Sequence, residues 1–101
     1  MQIELFIDGE KKLFTAPFVP MLAKRKYLEL KAAEDASTWA EVIEEDDAYL
    51  SILADVVFQG QFTVMDVYAG ASGEYVRKKL DEAVFGVKRE AESNEGNQPG
   101  E

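Results

Sequence analysis

The pair Asp8-Gly9 constrains this chain more than any other two residues. It sits between Gln2–Ile7 and a second run over 10–16, and in the first run Ile3, Leu5 and Ile7 alternate with Gln2, Glu4 and Phe6. An Asp-Gly pair so placed tolerates positive φ at both turn positions, which predicts a β-hairpin over 2–16. A two-residue turn sets Ile7 opposite Glu10 and Ile3 opposite Phe14. A three-residue turn sets Leu5 opposite Leu13, and the sequence leaves both registers open. Apolar side chains fall on both faces in either case. A lone hairpin is marginal in water, so it must pack on other elements, and its free edges invite another strand.

The remainder reads as helix. Pro17 and Pro20 bracket Phe18-Val19 and make a stiff corner, because proline fixes φ and drives its predecessor into extended geometry. Pro20 suits the first turn of a helix, predicted over 20–36 with Ala23, Tyr27 and Leu30 on one face. Lys24-Arg25-Lys26 lacks interleaved aromatic residues and reads as a solvated helix face, not a nucleic-acid patch. Thr38 and Glu41 have the spacing of a capping box and start a short helix carrying Trp39, Val42 and Ile43. The carboxylates at 44–47 repel one another inside a helix but suit its N-terminus. The next helix is therefore placed over 46–59, from Asp46 or Asp47, and Gly60 closes it. Its stripe is Tyr49, Leu50, Leu53, Ala54, Val57 and Phe58. Thr63 opens a helix over 63–69 that Gly70 closes. Ser72 caps the last one, over 72–89, with Val76, Leu80, Ala83, Val84 and Val87 inward. Residues 90–101 contain no aromatic or branched apolar side chain and are expected to form a disordered acidic tail. The fold class is α+β: an N-terminal β-hairpin packed on a small bundle of about four helices in a single domain over 1–89.

Chemistry is bounded by what is missing. The 101 residues include no cysteine and no histidine. That removes disulfides, thiolate and histidine base catalysis, and the common zinc sites. The acids at 44–47 lack the ligand spacing of a calcium loop, since Tyr49 stands where its glycine belongs. Gly70-Ala71-Ser72-Gly73 lacks the lysine of a phosphate loop and reads as a helix end followed by a helix start. No catalytic, metal or cofactor site is predicted, and the chain is not expected to be an enzyme. No apolar run approaches a membrane span, and the acidic opening is unlike a signal peptide, so neither membrane nor export is expected.

The net charge of −9 is unevenly spread. Residues 1–31 hold six basic and four acidic side chains, 32–76 hold ten acidic and no basic ones, and 77–90 hold five basic and three acidic. The acidic middle repels phosphates, so nucleic acid is not an expected partner. The blocks read either as a solvated surface or as steering charges for a homo-oligomer, basic shoulder against acidic belt.

The opening, I-x-L-x-I-D-G-E-K-K-x-F-T-A-P-F-V, followed by a helix rich in Lys, Arg and Leu, resembles the tail assembly chaperones of long-tailed (siphovirus-type) bacteriophages and prophages. Leu53-Ala54-Asp55-Val56-Val57-Phe58, Gln61-Phe62-Thr63 and Asp66-Val67-Tyr68-Ala69-Gly70 extend the likeness over 2–88. The resemblance implies a non-enzymatic protein of the host bacterial cytoplasm, without cofactors, that is absent from the mature virion. Such a protein coats the tape measure protein, keeps its hydrophobic helices soluble and helps deliver it to the tail tube protein. In many such phages a frameshift near the gene's end also makes a longer form. A holdase needs apolar surface for its client and net charge for solubility. Phe18, Val19, Phe58, Phe62 and Tyr68 are the candidate client contacts, with simple core packing as the alternative for each. Three other classes stand beside this one. One is an acidic DNA-mimic inhibitor, against which the basic shoulders argue. Another is a small structural protein retained in the virion. The third is a small enzyme of unfamiliar type.

Overall fold

The computed structural model describes residues 1–86. In chain order the elements are β1 (Gln2–Ile7), β2 (Glu10–Thr15), α1 (Met21–Ala33), α2 (Trp39–Ser51), a π-helical segment (Ile52–Val57), α3 (Val64–Gly70) and α4 (Gly73–Phe85). The architecture is α+β, an antiparallel hairpin followed by four helices. Val87 and the tail expected over 90–101 lie outside the described residues.

Asp8 and Gly9 both take positive φ, 54° and 80°, and the two-residue register results. Ile7 pairs with Glu10, Leu5 with Lys12 and Ile3 with Phe14. The ladder runs one pair past the strands: the Ala16 N–H donates to Met1 O at 2.8 Å and the Met1 ammonium to Ala16 O at 2.9 Å. Ile3 and Leu5 are buried on the inner face, while Phe6 and Leu13 are exposed on the outer one. The Phe14 ring lies 4.9 Å from Phe62, which lies 5.2 Å from Phe58, so tilted aromatic pairs fasten the hairpin to the helices.

The outer edge of β1 is covered. The Glu4 N–H donates to the Tyr75 hydroxyl at 2.9 Å. Beside it, a Cβ at Gly70 would stand 2.6 Å from the Phe6 carbonyl oxygen. Gly70 is the last residue of α3, so its lack of a side chain serves close approach to β1 as well as the helix end. Gly70→Ala is expected to lower stability by about 1–3 kcal/mol, because backbone must move to admit the methyl group. A circular dichroism melt checks this, and an unchanged midpoint contradicts the packing. Among the described residues the outer edge of β2 is open at Lys11 and Leu13, with Gln61 Nε2 donating to Thr15 O at 2.9 Å.

Three helix boundaries depart most from the sequence expectation, and the helix expected over 46–59 also divides, α2 ending at Ser51 and the π-helical segment at Val57. α1 ends at Ala33, not at 36, because Glu34 turns to extended backbone and there accepts a hydrogen bond from the Tyr49 hydroxyl. α4 ends at Phe85, short of 89, because Gly86 takes the left-handed conformation and its N–H closes on Glu82 O. The largest correction concerns the start placed at Asp46 or Asp47. The Thr38–Glu41 capping box is formed, and the helix it starts runs unbroken through the acidic run to Ser51. The repulsion expected to end it is relieved from outside: Glu45 accepts the Asp35 N–H at 3.1 Å and Asp47 accepts the Tyr68 hydroxyl at 2.7 Å.

The chain then widens into the π-helical segment, whose Ile52, Leu53, Ala54 and Val57 are buried. It packs against α1, α2 and α4 and forms the middle of the core. Three consecutive buried residues need neighbours on most sides, which these helices provide. Gln59 and Gly60 at φ 52° and 83° end the segment. The Thr63–Asp66 box and the Ser72 cap start α3 and α4 as their sequences predict.

Candidate functional site

The five residues nominated from sequence separate into two environments. Phe58 and Phe62 are 0% and 4% exposed and belong to the core, where they present no face to a partner in this conformation. Phe18 is 64% exposed, at the corner between the hairpin and α1, and Val19 beside it is half-buried. The chain bends at Pro17 and Phe18, and the prolines at 17 and 20 restrict the backbone of this corner. Tyr68 is 41% exposed and stands on a different part of the surface, over α2.

Other exposed apolar side chains were not among the nominated contacts. Met21, Leu22 and Leu28 lie on α1, Trp39 and Ile43 on α2, and Met65 on α3. The signal for the first group was present: once Ala23, Tyr27 and Leu30 are assigned inward, Met21 and Leu28 must point the other way. Trp39 and Ile43 are exposed because the first two turns of α2 bring no fully buried residue to the core, and burial begins only at Leu50.

Tyr68 borders a cleft of about 460 Å³ between the helices, lined also by Tyr27, Tyr49, Lys31, Arg77 and Leu80. Tyr27 and Tyr49 pack at 5.5 Å, and Lys31 Nζ sits 5.6 Å from each ring. Lys31 also approaches Glu34 at 3.6 Å. The hydrogen bond from Tyr49, helped by Lys31, holds the Glu34 carboxyl below its usual range. Withdrawal from water and the bond to Glu34 push the Tyr49 phenol well above its own. Withdrawal from water, then the bond to Asp47 and the charge of Asp46, push Tyr68 up to about 12. These pairings lock the cleft walls together, with phenols as donors and carboxylates as acceptors. Among the described residues no acidic cluster is placed to hold a metal ion.

The raised Tyr68 pKa has a direct consequence. An unfolded phenol ionises near its ordinary value of 10.0, while the folded one keeps its proton to about 12. The stability it contributes is complete below pH 10 and is lost as pH rises towards 12. In an absorbance titration of tyrosinate, Tyr68→Phe should remove a late-ionising component. If the late component is undiminished, the Tyr68–Asp47 bond is not formed.

No helix among the described residues is long and apolar enough to cross a membrane. The family model described as a phage tail chaperone protein matches residues 1–101. The chain belongs to that family. No curated protein and no solved structure matches it. Membership in the phage tail chaperone family gives the chain a role in tail assembly and phage tail proteins as its partners. Exposed apolar groups are the part of such a surface that can be buried against another protein.

Proposed function

We propose that this tail chaperone binds the tape measure protein, keeps its hydrophobic segments in solution and helps bring it to the tail tube protein, without catalysis. The observation that carries the reading is the apolar surface around Phe18 on a body of net charge −9. A client is held by burying apolar area, at roughly 25 cal/mol per Å². The complex stays dispersed because the charge of the body repels other copies of the complex. Phe18 and Val19 form the primary contact. Tyr68 is a secondary one, since its hydroxyl is already committed to Asp47.

The test is co-expression of the phage's tape measure protein with and without the chain. The supernatant fraction of the tape measure protein should rise when the chain is present. An unchanged partition between supernatant and pellet counts against the reading. The chaperone acts in the host cytoplasm and leaves before the particle is complete. Mass spectrometry of purified virions should therefore find none of it, whereas stoichiometric retention identifies a structural component instead.

A further inference from the structure

We propose that the outer face of α1 is a docking strip for an amphipathic helix whose apolar seam is flanked by acidic residues. The inference rests on the client-binding reading above and specifies the kind of segment bound.

α1 has two faces. Ala23, Tyr27 and Leu30 turn to the core. On the opposite side Met21, Arg25, Leu28 and Ala32 are exposed and spaced four, three and four apart. That is the alternation of a helix-pairing seam, in which knobs from one helix enter holes on another. Met21 and Leu28 are 83% and 48% exposed, so among the described residues Met21 is almost bare and Leu28 keeps about half its surface open. A face that served only as solvated surface has no need of apolar residues at this spacing. The strip is helix-sized, since thirteen residues span about 20 Å.

Charge selects the occupant. Lys24, Arg25 and Lys26 are exposed on a chain of net charge −9. Arg25 Nε donates to Glu29 at 3.0 Å, so its charge is already paired within the helix. Lys31 is turned away, into the cleft, over Tyr27 and Tyr49. Among the described residues neither Lys24 nor Lys26 makes a salt bridge. Lys24 stands at the edge of the seam and Lys26 further round the helix, so an arriving helix with Glu or Asp beside its apolar seam would pair with Lys24 first and gain from Lys26 at longer range, and a basic-flanked helix would be repelled.

Synthetic amphipathic helical peptides with one apolar seam and either acidic or basic flanks test this, titrated against the full chain by fluorescence anisotropy. The acidic-flanked peptide should bind at least about tenfold more tightly than the basic-flanked one. Met21→Glu with Leu28→Glu should weaken it about tenfold or more while leaving the melting temperature in place, since both positions are exposed. Met21→Gln with Leu28→Gln replaces that pair should the acidic variant melt early. Lys24→Glu with Lys26→Glu should erase the preference between the peptides. Equal affinities, or binding indifferent to these changes, overturn the proposal. So does a result in which the variants alter only co-sedimentation with phosphatidylcholine–phosphatidylserine vesicles, or only self-association. The synthetic peptides contain no tape measure sequence. Loss of the strip's selectivity therefore leaves the co-expression result standing, and failed co-expression leaves the peptide result standing.

Discussion

Leu5→Asp is expected to remove about 2–5 kcal/mol of stability, enough to unfold a marginally stable chain of this size. Leu5 is fully buried on the inner face of β1. A carboxylate there loses its water and gains no partner in place. Lys12 stands opposite in the ladder, but its side chain is exposed. Bringing it inward would bury a second charge, and the desolvation of both ions offsets much of their attraction. The effect should reach the helices as well as the hairpin, because Ile3 and Leu5 share one cluster with Leu53, Phe58 and Val67. Circular dichroism at helical wavelengths is the measurement. A melt that matches the parent would mean that the hairpin is not docked on the helices.

Phe58→Ala is expected to cost about 3–5 kcal/mol, the range for emptying a buried aromatic site. The ring is fully buried and 5.2 Å from Phe62, so its loss leaves a cavity at the junction of hairpin and helices. This substitution also separates two roles. A core residue lowers the melting midpoint in the absence of any client. A surface contact leaves the midpoint alone and weakens binding. Phe58→Ala should do the first and Phe18→Ala the second, and the reverse pattern would mean that the segment around Phe58 opens to meet its client.

Local chemistry made much of the fold legible. Asp8-Gly9 specified the turn, because few residue pairs accept positive φ twice. Thr38, Thr63 and Ser72 announced helix starts through side-chain acceptors placed for the backbone N–H groups beyond them. What stayed hidden depends on distant partners. The acids at 44–47 read as a break because the donors that relieve them, the Asp35 N–H and the Tyr68 hydroxyl, come from elsewhere in the fold. The π-helical turn left no mark, since Ile52–Val57 would suit an α-helix equally well. Gly70 was read as a helix closure, and its contact with the Phe6 backbone needed the third dimension.

The candidate site was legible only by type. Sequence marks Phe18, Phe58 and Phe62 alike as large and apolar. Burial then divides them, because Phe18 lies exposed in the bend between hairpin and α1 while Phe58 and Phe62 pack with Phe14 and Val57 against the core. Met21 and Leu28 were masked by the lysines and arginine between them, which made the whole outer face of α1 read as solvated.

The central claim is that an exposed apolar surface on this tail chaperone holds the tape measure protein. Its most direct test is co-purification of the tape measure protein with tagged parent chain and with tagged Phe18→Asp, each shown to melt at the same temperature. The parent should retain the tape measure protein and the variant should lose most of it. No retention by the parent, or equal retention by both, would contradict the account.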